Sequence, residues 1–260
     1  MHKLSGKWAL VTGASSGIGA DIARQLAAAG CHLVLTARRK DRLDALKQEL
    51  QANHAVNVET ISNDLSKPSG PQDLCNTVAR LNVPVSVLVN NAGIGLNGQF
   101  AELKLSAQMA LIQLNITSLT ELTHRFIAPM KARQEGWVLN VASLYAFNLG
   151  VGYAVYAASK HYVLNLSESL NYEMKPHGVQ VTALCPGATR TEFFEVAGQG
   201  SNPFMEMALM DSAKVAKIGV QGMLQGKPYV VAGLANAAMA QTVKFVPKSI
   251  QAMISAQIAK

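Results

Sequence analysis

Short apolar runs alternate along the chain with longer amphipathic stretches, and the alternation assigns the elements. Lys7–Val11, His32–Thr36, Val56–Ile61, Val85–Val89, Trp137–Val141 and Val179–Leu184 read as strands, with Tyr229–Val231 as the last. Near-continuous apolarity is the mark of parallel strands covered on both faces. Between them fall helical patterns. One runs through Ile22, Leu26 and Ala29 and closes at Gly30; a second is Arg42–Leu50; a third follows the turn at Pro68, Gly70 and Pro71. A long pattern spans about Leu103 to Ile127, through Met109, Ile112, Ile116, Leu119 and Leu122. Another begins at Tyr156, passes Tyr162, Val163, Leu166 and Leu170, and stops near His177-Gly178. No linker, composition break or internal repeat interrupts the series. This order predicts an α/β fold, a single domain with a doubly wound parallel sheet and helices on both faces. Its ligands belong at the carboxyl ends of the strands.

Composition agrees. A chain of 260 residues can bury a core without a disulfide or metal staple. Charged residues are only 15%, which suits a buried sheet and leaves room for a subunit interface. The net charge of +7 is dispersed, and no basic run exceeds Arg38-Arg39-Lys40. Aromatic residues do not interleave with basic ones, so local anion binding is expected and a nucleic-acid partner is not. Cys31, Cys75 and Cys185 are odd in number and lack metal or redox spacing, so reduced thiols, no metal site and a cytoplasmic location are expected. The N-terminal apolar run is too short for a signal peptide, and no run reaches the ~18 residues of a membrane span.

Candidate chemistry sits at the strand ends. Between the first strand and first helix lies Thr12-Gly13-Ala14-Ser15-Ser16-Gly17-Ile18-Gly19. A glycine-rich turn feeding a helix N-terminus is a phosphate cradle; otherwise it is an ordinary βα turn. The second strand ends at Ala37, Arg38 and Arg39, with no carboxylate for a ribose 2′-hydroxyl. Two guanidinium groups suit a 2′-phosphate, so NADP(H) is expected over NAD; alternatively both arginines open a solvated helix. Asp64, beside Leu65, is open between an adenine contact and a helix cap. The small residues of Asn90-Asn91-Ala92-Gly93 leave room for a ligand across the sheet. Asn115, inside the long helical pattern, is open between holding a water or a backbone group and, as it reads by itself, a plain surface residue. The fifth strand delivers Ser143, and the sixth ends in Pro186-Gly187-Ala188-Thr189-Arg190-Thr191. Tyr156 and Lys160, four apart, project from one helix face. A nearby ammonium is expected to lower the phenol from its ordinary pKa of about 10 and let it exchange a proton with a reacting oxygen.

Taken in order, these motifs resemble the short-chain dehydrogenase/reductase family, up to about Gly233. The resemblance implies a Rossmann-like sheet and a catalytic set. Tyr156 is the acid/base, Lys160 tunes it and holds the nicotinamide ribose, Ser143 bonds the substrate oxygen, and Asn115 holds a relaying water. It also implies that Gly13, Ser15–Gly19, Arg38, Arg39, Asp64, Leu65, Asn91–Gly93, Pro186, Gly187, Thr189 and Thr191 contact the cofactor. Ser86 stands where the family often has Asp, and Ala146 where a Gly often follows the serine loop. A homodimer or homotetramer is implied, paired through the long helices around Asn115 and Tyr156. The implied activity is reversible reduction of a carbonyl to an alcohol. The competing reading is a non-catalytic NADPH sensor or structural module, against which the intact Ser143, Tyr156 and Lys160 set argues.

The domain is expected over 1–233, with a substrate lid at about 188–215 and a helical extension over 234–260. Phe193, Phe194, Phe204, Met205, Met207, Leu209 and Met210 fill the lid region. With Phe147 and Tyr153 they predict an apolar pocket wall and hydrophobic substrate; alternatively the lid packs on its own domain. In the extension, Ile250, Met253, Ile254 and Ile258 recur at helix spacing. That helix is open between packing on the body, covering a partner subunit and, less favoured with so few charges, lying on a membrane surface.

Overall fold

The computed structural model describes residues 2–193 and 209–258. Seven strands form one sheet: β1 (Trp8–Thr12), β2 (His32–Ala37), β3 (Val58–Ser62), β4 (Val85–Asn90), β5 (Gly136–Val141), β6 (Val179–Cys185) and β7 (Tyr229–Val231). Their spatial order is β3-β2-β1-β4-β5-β6-β7, and each neighbouring pair is parallel. The order reverses between β1 and β4, which creates the crevice where open α/β sheets bind ligands.

Successive residues of one strand serve opposite layers. Ala9 and Val11, Leu33 and Leu35, and Val87 and Val89 join one apolar cluster with α1 (Gly17–Ala28) and α2 (Lys40–Asn53). The intervening Leu10, Val34 and Leu88 join the other, with α3 (Gly70–Arg80). This is period-two geometry with both faces apolar, so the strands lack visible alternation in sequence.

The expected Leu103–Ile127 helix is not one regular element. It comprises α4 (Leu105–Ile112), a π-turn (Gln113–Ser118) and α5 (Leu119–Arg133). Its buried face is also displaced from the apolar stripe. Gln108, Leu111, Asn115 and Ser118 are buried, whereas Met109 is 54% exposed and Leu105 is 71% exposed. The polar residues can turn inward because each finds a partner there. Gln108 donates to the carbonyls of Phe100 and Leu103, and Ser118 to that of Leu65. Helix α6 covers Ala154–Met174, and α7 covers Ser212–Leu224. The extension forms α8 (Leu234–Thr242) and α9 (Lys248–Ile258), and it packs on the body: the Val151 amide donates to Ser255 Oγ at 2.9 Å. No helix among the described residues is long and apolar enough to cross a membrane.

Candidate active site

A cavity of about 800 Å³ lies at the carboxyl ends of the strands. One end is formed by Gly13, Ser15–Ile18 and Arg38–Arg39; the other holds Ser143, Tyr156 and Lys160. Asp64, Leu65, Asn91–Gly93, Pro186, Gly187, Thr189 and Thr191 line it as well.

The glycine turn is bolted to β4. Asn91 Nδ2 donates to the carbonyls of Thr12 and Gly13. Thr12 Oγ1 accepts from the Asn91 and Ala92 amides and donates to the Val89 carbonyl. A Cβ at position 19 would stand 2.3 Å from Asn91 Nδ2 and 2.4 Å from the Gly13 carbonyl oxygen, so only glycine fits. Gly19 therefore packs behind the cavity wall, while Gly13 and Gly17 shape the turn with φ of +64° and +54°. Among the described residues Ser16 makes no side-chain cap bond to α1, which leaves that helix's first-turn N–H groups for an anion. The chain's own residues thus fit the diphosphate of a dinucleotide.

Asp64 does not cap the next helix, whose N-cap is Ser69; its Oδ1 accepts from the amide and hydroxyl of Ser66 in a local turn at the cavity wall. Arg38 is exposed and makes no side-chain hydrogen bond or ion pair among the described residues. Arg39 reaches the hydroxyls of Ser15 and Ser16 and the carboxylate of Glu192.

At the reactive end, Ser143 stands beside the Tyr156 phenol, where its hydroxyl favours the ionised form. The Ser143 oxygen also accepts from the Tyr145 amide, which fixes it at the start of a 3₁₀ turn. Lys160 Nζ donates to the Val141 carbonyl at 2.8 Å and lies 5.6 Å from the Tyr156 ring centre. Both side chains are buried. Burial pushes the Tyr156 phenol above its ordinary value, against the opposing Ser143 hydroxyl. Burial also brings the Lys160 ammonium down to about 8. The expected lowering by Lys160 is not seen: burial is the largest influence on the phenol and raises it, and the opposing influence comes from Ser143.

Asn115 is not a surface residue. It is 1% exposed, at the π-turn. Its Oδ1 accepts from the Ile94 amide, and its Nδ2 donates to the Ile94 carbonyl and Ser159 Oγ. It joins the chain after β4 to α6 beside Lys160.

Phe147, expected at the substrate, is a second correction. Its ring packs on Tyr229, 5.7 Å between centres, in the cluster of Val163 and Ala183, away from the cavity. Tyr153 does line the cavity, and Phe193 packs on Tyr156 at 5.4 Å and against Gly95. Phe194, Phe204, Met205 and Met207 lie outside the described residues. The extension supplies wall residues unassigned from sequence, among them Met239, Val243, Val246, Gln251 and Ile254. Their signal was weak because the polar Gln251, not the apolar stripe, is the buried anchor: it donates to the carbonyls of Val243 and Val246.

Comparison with known proteins fits this geometry. The profile of the short chain dehydrogenase family matches residues 7–202. An uncharacterized oxidoreductase of Staphylococcus saprophyticus is 34% identical over 191 residues, covering 74% of this chain and 82% of that protein. The structure of a short-chain dehydrogenase from Sphingobium yanoikuyae in complex with NADPH superposes with a TM-score of 0.83 at 33% identity, covering 96% of this chain and 95% of that one. A bulky-bulky ketone specific alcohol dehydrogenase from Comamonas testosteroni gives 0.79 at 30% identity, covering 96% and 94%. A nicotinamide dinucleotide site at the sheet switch point, with a buried tyrosine, lysine and serine at its far end, places this chain in the short-chain dehydrogenase/reductase family, as an oxidoreductase of alcohol and carbonyl groups.

Proposed function

We propose that this protein is an NADP(H)-dependent oxidoreductase that interconverts a hydrophobic carbonyl compound and its alcohol, with Tyr156 as the acid/base. The observation that carries the reading is the buried Tyr156 phenol, which shares with Ser143 and Lys160 the cavity that begins at the glycine turn. When bound, the nicotinamide supplies the hydride in reduction and accepts it in oxidation. Tyr156 gives its proton to the oxygen of the reduced carbonyl. Ser143 donates to the same oxygen and stabilises the developing charge in the manner of an oxyanion hole. Lys160, beside the ring, would stabilise the phenolate left after proton transfer and would hold the nicotinamide ribose when the cofactor is bound. Asn115 holds the floor that positions α6.

Arg38 and Arg39, with no carboxylate at the end of β2, support NADP over NAD. An apolar substrate is supported by Leu149, Tyr153, Phe193, Met239, Val246 and Ile254 around the reactive end. A structural neighbour specific for bulky-bulky ketones supports a ketone with large groups on both sides. Exposed Leu105, Met109 and Tyr172 on α4 and α6 support a homo-oligomer paired through those helices.

The test follows NADPH and NADH absorbance against a panel of aliphatic, aromatic and steroid ketones. NADPH-dependent turnover of apolar ketones is expected. Cofactor binding without turnover anywhere on the panel would sink the enzymatic assignment, and a clear NADH preference would sink the arginine assignment.

A further inference from the structure

Glu192 occupies Arg39, one of the two guanidinium groups that the NADP reading assigns to the 2′-phosphate; Arg38 stays clear of it. Its two carboxylate oxygens are shared between two arginines, Oε2 with Arg39 Nη1 at 2.8 Å and Oε1 with Arg42 Nη1. Arg39 also spends Nε on Ser15 and Nη2 on Ser15 and Ser16. A guanidinium has five N–H donors. After these contacts, among the described residues, only one N–H of Arg39 is left. Ser15, Ser16, Arg38, Arg39 and Glu192 all line the cavity. An incoming phosphate therefore meets a site with the right donors and a carboxylate already on them.

We infer that Glu192 is a coenzyme-selectivity residue, an internal anion that competes with the 2′-phosphate for Arg39 and Arg42. The sign follows from electrostatics. If the carboxylate stays, it repels a phosphate dianion at hydrogen-bond range; if it leaves, two charge-assisted bonds must be broken first. Either way it weakens binding of a 2′-phosphorylated ligand and not of an unphosphorylated one. The arginines hold the carboxyl down to about 2, so acid within the working range does not release it. Its neighbours make the contact more than a surface pair. Thr191 packs on Gly17, where a Cβ would stand 2.8 Å from its methyl, and Phe193 packs on Tyr156. Glu192 thus fastens the strap between the glycine turn and the reactive end.

This inference rests on the NADP reading, and the test separates the two. The full chain is titrated calorimetrically with 2′,5′-ADP and with 5′-AMP, as wild type, Glu192→Gln and Glu192→Asp. The quantity read is the ratio of the two dissociation constants. Glu192→Gln is expected to raise the preference for 2′,5′-ADP about threefold to fivefold, the upper part of the range for half-exposed charge pairs, while 5′-AMP is unmoved. Glu192→Asp keeps the charge and stays within about twofold of wild type. An unchanged or reduced ratio in Glu192→Gln overturns the inference, as does an equal shift in both variants. The NADP reading is judged by the wild type alone, through its kcat/KM with NADPH against NADH. An NADPH-preferring wild type with an unmoved Glu192→Gln ratio removes only the role of Glu192.

Discussion

Lys160→Met isolates the electrostatic cost of the catalytic lysine. The ammonium is 5% exposed and has one carbonyl, that of Val141, in place of its hydration shell. Its proton affinity falls from 10.5 to about 8, because burial penalises the charge. In the unfolded chain the lysine binds its proton more tightly than in the fold, so between about pH 8 and 10.4 unfolding takes up a proton. The stability penalty of the buried charge is full below about pH 8 and is relieved as pH rises through that window. With 1.36 kcal/mol per pKa unit, the relief between pH 7 and pH 9.5 is about 2 kcal/mol. Other groups move oppositely: burial raises Cys31 and Cys185 to about 12, so each favours the fold less as unfolded thiols ionise. Lys160 lowers Cys185, so that thiol sits higher still in the variant, but up to pH 9.5 both folded thiols stay protonated in either protein and their contributions cancel in the difference. The assay is urea unfolding of wild type and Lys160→Met, without added cofactor, at intervals from pH 7 to 9.5. The wild type should gain about 2 kcal/mol relative to the variant across the range, whatever their offset at pH 7. A difference that is flat, or that falls with pH, refutes the reasoning.

Tyr156→Phe removes the proton donor and should lower kcat by roughly 10²- to 10⁴-fold while leaving NADPH binding, followed by fluorescence, unchanged. Gly19→Ala drives a methyl against the Asn91 amide and the Gly13 carbonyl; a loss of about 1–3 kcal/mol and weaker cofactor binding are expected from denaturation and titration. Asn140 accepts from Asn90 Nδ2 and donates to Ser167 within a fully buried network between β4, β5 and α6. Asn140→Leu strands an Asn90 N–H and should cost about 2–3 kcal/mol. Adding Asn90→Leu should recover part of that cost, and additive losses in the double variant would show the pair is uncoupled.

The parts of this protein that could be read from sequence are those where burial is two-sided or the turn is covalently short. The strands announce themselves because Leu33, Val34 and Leu35 each have an apolar layer to enter. The glycine turn is legible because it must bend at a fixed distance from β1. The catalytic pair is legible only in company, since a Tyr and a Lys four apart mean little until β5 delivers Ser143. What escaped has one physical cause. Hydrophobic periodicity locates the apolar face of a helix and assumes that this face is the buried one. In α4 and α9 the assumption fails in the same way: Gln108 and Gln251 turn inward onto backbone carbonyls, while Met109 and Met253 face out. A glutamine amide can enter the interior because two carbonyls meet its N–H groups, and the apolar neighbours are then obliged to face away. The same logic hid the burial of Asn115, which the family resemblance had singled out: its partners on Ile94 and Ser159 come from other elements. It also explains the error at Phe147, an aromatic residue near the serine loop that fills the core beside Tyr229 instead of the cavity. Apolar faces left outward on α4 need another surface to become favourable, and in a homo-oligomer the same face of a second subunit supplies it. Met109→Lys should therefore shift the protein towards monomer in light scattering without altering its fold, and an oligomer that tolerates the charge would place the subunit contact elsewhere.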